Sequence, residues 1–166
     1  MFKRSAVLAV SALIVLTGCS SAAEETAPSD APNNAPVSVE VSGDSGTQPV
    51  VVITPGAPVT QLEVTDVIVG SGDAVPAGAT VTADYVGYGA ATGEMFDASW
   101  VRGEPATFPL ANVILGWQEG LVGMQVGGRR LLVIPAELGY GDNPPQGSGI
   151  EAGETLIFVV DLVSFE

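Results

Sequence analysis

Over the last two thirds of the chain, apolar and polar positions alternate with the two-residue period of β-strands more often than with the helical period. An apolar run at 50–53 and a β-branched stretch at 62–69 predict two strands. Alternation at 80–88, through Val81, Ala83 and Tyr85, predicts a third. The clearest strands are 131–134 and 155–165; in the second, Leu156, Phe158, Val160 and Leu162 share one face, which should be core. Glycine-rich stretches at 70–73 and 87–93 supply turns. Only 113–124 has helical spacing, with Val113, Trp117 and Leu121 at i, i+4 and i+8 and Asn112 standing as N-cap. Gly116, Gly120 and Gly123 weaken that helix and keep it short. Several antiparallel strands around one short helix make an α+β domain.

The first third has a different pattern. Lys3 and Arg4 precede an apolar run at 6–16 that closes on Leu16-Thr17-Gly18-Cys19, the form of a secretory signal peptide. The run is shorter than the roughly 20 residues a bilayer requires. Small residues before Cys19 resemble the lipobox of bacterial lipoproteins, in which that cysteine is lipidated; the alternative is an ordinary signal peptide with an incidental cysteine. From Ser20 to about Gln48 the chain is mostly small, polar and proline residues, too poor in apolar groups to offset its ordering entropy. The expected organisation is a signal peptide at 1–18, a flexible tether at 19–48 beginning with lipidated Cys19, and one domain at 49–166. That places the domain outside the cytoplasm, attached to the cell membrane through its lipid alone.

Composition narrows the chemistry. The chain has no histidine and one cysteine, so Ser-His-Asp triads, Cys-His pairs and Cys/His zinc sites are excluded, and no ligand cluster suits a catalytic metal. Against 19 acidic residues stand 5 basic ones, two of which would leave with the signal peptide. Such an acidic chain is a poor partner for nucleic acid or anionic headgroups.

Four segments in order, GEMFDAS at 93–99, VILGWQEG at 113–120, IPAELGYG at 134–141 and TLIFVVDL at 155–162, resemble the FKBP family of peptidyl-prolyl cis-trans isomerases. The resemblance implies a strongly twisted antiparallel sheet wrapped over a short helix, and rotation of X-Pro bonds without covalent chemistry or cofactor. It also implies a pocket. Trp117 resembles its floor, and Tyr85, Phe96 and Phe158 its sides. Val113 and Ile114 resemble the bordering segment, with the Ile114 N–H facing a substrate carbonyl. Tyr140 resembles the rim tyrosine, Ile150 the apolar residue on the loop opposite, and Asp97 the acid beside the reacting amide; Arg102 stands where it would pair with Asp97. Taken singly, each side chain would also be explained by core packing or a turn.

Departures from the family pattern bear on activity. Ala106 stands after Pro105 where many members carry an aromatic residue, which should open one wall; Phe108 is the nearest aromatic replacement. The loop from Phe108 to Val113 is somewhat short, and 142–149 is rich in Gly, Pro and Ser. The implied partners are proline-containing segments of exported proteins, with macrolides such as rapamycin as pocket ligands. The alternative is a non-catalytic proline-binding or chaperone module of the same fold. An acidic hydrolase is disfavoured because no second carboxylate stands at usable spacing from Asp97.

Overall fold

The computed structural model describes residues 35–166; the signal peptide and Cys19 fall outside them. Eight strands, β1 (Ser38–Ser42), β2 (Val50–Thr54), β3 (Glu63–Ile68), β4 (Thr80–Gly89), β5 (Met95–Ala98), β6 (Ala106–Pro109), β7 (Arg129–Ile134) and β8 (Leu156–Phe165), accompany one helix, α1 (Leu115–Gly120). Six strands form an antiparallel sheet ordered β3-β7-β8-β4-β5, with β6 also paired to β4. One edge of β4 runs along β8; the other is shared, β6 holding 80–83 and β5 holding 86–88. Tyr85 therefore falls in the gap between β6 and β5. There Ser99 completes the backbone pairing: its N–H donates to the Tyr85 carbonyl and its Oγ accepts the Tyr85 N–H, both at 2.9 Å. The same Oγ donates to buried Asp84 at 2.8 Å.

Both faces of the central strands are covered. On one, Leu156, Phe158, Val160 and Leu162 join Trp117, Leu121, Leu132 and Ile134 in the main core, as the alternation predicts. On the other, Leu131, Val133, Ile157 and Val159 meet a second apolar layer contributed by Val37, Val39, Val41, Val51 and Ile53. Part of that layer corrects the sequence reading. Residues 38–42, assigned to the tether by composition, pair with β2 as an antiparallel hairpin. The Val-Ser-Val-Glu-Val-Ser run at 37–42 has the strand period, which the polar average of the surrounding segment obscures.

An ion pair fixes this hairpin. Arg129 is wholly buried and bonds Asp161, its cross-strand neighbour, through Nε at 2.6 Å and Nη2 at 2.8 Å. Its remaining donors reach the hairpin loop, at the carbonyls of Gly43 (2.8 Å) and Thr47 (2.5 Å), while the Gly46 N–H donates to Asp161 at 2.7 Å. A buried ion pair is tolerable only when its remaining hydrogen-bonding capacity is satisfied, and here the loop satisfies it.

The helix is shorter than the 113–124 spacing predicts, and Asn112 is not its cap. Asn112 ends a 3₁₀ turn at Leu110–Asn112, Ile114 occupies the N-cap, and no side chain bonds there. Packing explains Gly116: a Cβ at that position would lie 2.4 Å from Ile134 Cγ2, so glycine lets α1 press onto β7.

Candidate active site

The mouth of the main core is a cavity of about 470 Å³ lined by Tyr85, Phe96, Asp97, Phe108, Asn112, Val113, Ile114, Trp117, Tyr140 and Phe158. Its walls are a cluster of rings in edge-to-face contact. Trp117 stands 5.4 Å from both Tyr85 and Phe158 and 5.7 Å from Phe108; Phe96 stands 5.5 Å from Phe158. Such pairs add about 0.5–1.5 kcal/mol each beyond their buried area, making a stiff apolar basin.

Charged groups are confined to the rim. Tyr85 donates to Asp97 Oδ2 at 2.5 Å, and its oxygen accepts from Arg102 Nη2 at 2.8 Å. Arg102 Nη1 closes the triangle on Asp97 Oδ1 at 2.9 Å, with the guanidinium carbon 5.5 Å from the Tyr85 ring centre. Burial, helped by Asp97, pushes the Tyr85 hydroxyl up to about 12. Burial alone would raise Asp97, but hydrogen bonds from Tyr85 and Arg102 outweigh it and hold the carboxyl below its ordinary value. Tyr140 is raised by burial and, secondarily, by the Asp97 charge. Among the residues lining the cavity, the Ile114 N–H, the Tyr140 hydroxyl and the buried Trp117 Nε1–H have no hydrogen-bond partner among the described residues. Gln118 Nε2 donates back to the Val113 carbonyl at 2.8 Å and fixes the turn that presents Ile114.

Nine of the predicted site residues lie together around the cavity: Tyr85, Phe96, Asp97, Phe108, Val113, Ile114, Trp117, Tyr140 and Phe158. Arg102 lies outside the lining and meets it only through its bonds to Asp97 and Tyr85. Ile150 also lies outside it, packed against the edge of the main core. Ala106 is likewise absent from the lining; Phe108, two residues on along the same face of β6, supplies the wall between Tyr85 and Trp117. Asn112 was missed as a wall residue because its type suggested a cap. Ser99 and Asp84 were missed because their role depends on the gap beside β4.

A profile of FKBP-type peptidyl-prolyl cis-trans isomerases matches residues 72–163. The chain belongs to that family. An FK506-binding protein from Streptomyces anulatus is 52% identical over 111 residues, 66% of this chain and 90% of that protein. A probable FK506-binding protein from Corynebacterium glutamicum is 51% identical over 62% of this chain and 86% of its own length. The crystal structure of FkpA from Escherichia coli superposes with a TM-score of 0.59 at 42% identity, covering 64% of this chain and 49% of that one. The protein is thus a peptidyl-prolyl cis-trans isomerase. The β1–β2 hairpin, like β3, lies before the residues the FKBP profile matches.

Proposed function

We propose that the protein rotates X-Pro bonds in exported polypeptides and that the aromatic cavity is where rotation occurs. The observation that carries this is an apolar basin walled by five rings whose lining residues include the unpartnered Ile114 N–H and Tyr140 hydroxyl. The X-Pro barrier, about 18–20 kcal/mol, comes from lone-pair sharing between nitrogen and carbonyl. A twisted amide has lost that sharing and is less polar, so a dry pocket around the proline ring favours it over the planar form. Ile114 N–H and Tyr140 O–H hold substrate carbonyls while the bond between them turns. Asp97, kept ionised and oriented by Tyr85 and Arg102, faces the rotating amide. Every tenfold acceleration requires about 1.4 kcal/mol, which a few such contacts supply. Macrolides such as rapamycin would occupy the same basin.

Export rests on the leader at 1–18, and membrane attachment on lipidated Cys19. A Cys19→Ser protein should be recovered free of acyl chains and of membranes; persistence of either would refute the anchor. For the pocket, isomerisation of a proline tetrapeptide should fall at least tenfold in Asp97→Val while the variant stays folded. Full activity in that variant would remove Asp97 from the reaction. A folded wild type that binds proline peptides without turnover would leave the binding-module alternative.

A further inference from the structure

Glu154 is 6% exposed, yet no basic side chain pairs with it among the described residues. Its carboxylate instead accepts two backbone N–H groups, from Glu151 at 2.8 Å and from Ala91 at 3.3 Å. The donors belong to different segments. Ala91 sits in the turn leading into β5, which carries Phe96 and Asp97. Glu151 closes the loop that runs from Tyr140 through Ile150, and the Gly153 N–H shuts the base of that loop on the Gly141 carbonyl at 2.9 Å. One buried carboxylate thus ties together two segments that line or flank the cavity. Gly89 leaves room for it: a Cβ there would lie 2.3 Å from Glu154 Oε1.

We propose that Glu154 is a positioning residue for the isomerase. It sets the spacing between the Phe96–Asp97 wall and the Tyr140–Ile150 side, and so governs peptide affinity rather than the rotation step. The inference rests on the pocket reading above. Without the carboxylate, the loop is ordered only when a ligand supplies that ordering, which weakens binding and leaves the bound geometry intact.

The test combines Glu154→Ala, Glu154→Gln, Gly89→Ala and the Gly89→Ala/Glu154→Ala double variant. In Glu154→Ala, KM for a proline tetrapeptide should rise about fivefold to tenfold while kcat stays within about twofold. Amide exchange should speed up at 89–93 and 142–151. Glu154→Gln keeps one acceptor oxygen and should fall between wild type and Glu154→Ala; it carries the test alone if the alanine variant does not fold. Gly89→Ala should reproduce the defect by evicting the carboxylate. The double variant should be no worse than Glu154→Ala, because the clash has gone. Unchanged KM and exchange in Glu154→Ala, or additive effects in the double variant, would overturn the proposal. Exchange is read without turnover. An inactive wild type would count against the catalytic reading, while exchange would still decide the role of Glu154.

Discussion

Tyr85 joins the apolar wall of the cavity to its charged rim, since one side chain contributes a ring to the basin and a hydroxyl to Asp97 and Arg102. Tyr85→Phe keeps the ring and removes the hydroxyl. A hydrogen bond to a charged group is worth about 1.5–3 kcal/mol, so kcat/KM should fall roughly tenfold to a hundredfold with little loss of stability. Retention of full activity would show that Asp97 needs only Arg102. The same triangle fixes the pH response. Tyr85 keeps its proton up to about 12, Asp97 loses its own below the ordinary carboxylate range, and Arg102 is raised first by its bond to Tyr85. None of these changes charge between about pH 6 and 8, so kcat/KM should be flat there; a tenfold slope would reveal a titrating group elsewhere. For stability the signs differ. The lowered Asp97 favours the folded state above the ordinary carboxylate range, and this is lost as pH falls through its folded value. The raised Tyr85 favours folding below about pH 10 and is lost as pH climbs toward its folded value. Sequence reasoning reached the Arg102–Asp97 pair from five-residue proximity. It did not reach the Tyr85–Asp97 bond, which depends on how β5 registers against β4.

Four of the six main-sheet strands, β3, β4, β7 and β8, were legible because alternation and β-branched content point the same way, as in 80–88 and 155–165; β5 and β6, four residues each, are too short to show a period. The hairpin and helix ends were not, because each depends on a distant partner: β1 needs Arg129 and the outer sheet face, and the start of α1 is set by the 3₁₀ turn before it. Propensity and packing also oppose one another at Gly116. Alanine there gains about 1 kcal/mol in helix propensity, but its Cβ would intrude on Ile134, and overpacking costs about 1–3 kcal/mol. Gly116→Ala should therefore lower Tm, and an Ile134→Ala background should remove most of the difference between glycine and alanine. A chain beginning at residue 49 provides a larger contrast. It keeps β2 but loses β1, the carbonyls on Arg129 and the Gly46 N–H on Asp161. The pair itself stays intact but gives up three charge-assisted hydrogen bonds to water, and the burial of Val37, Val39 and Val41 is lost, together at least about 3 kcal/mol, so Tm should drop by roughly 10 °C or more relative to residues 35–166. Equal stability would show the hairpin to be dispensable.

Across the whole molecule, charge is lopsided in a way that composition only partly reveals. Of the three arginines among the described residues, Arg129 and Arg130 are buried in pairs with Asp161 and Asp66, leaving Arg102 as the exposed cation. A peptide approaching the cavity therefore meets a negative field. Tetrapeptides with lysine beside the proline unit should have higher kcat/KM than those with glutamate, by about tenfold at 0.01 M salt, where the Debye length is near 30 Å. The ratio should shrink toward one at 0.15 M. A ratio independent of salt would assign the preference to direct contacts instead.

The described residues contain no lysine. Trypsin acting on the folded domain can reach only the bond after Arg102, in an exposed turn whose arginine pairs with Asp97. Cleavage should stop at that single nick, and a ligand that draws Arg102 tighter onto Asp97 should slow it. A protease can thereby report the occupancy of this pocket.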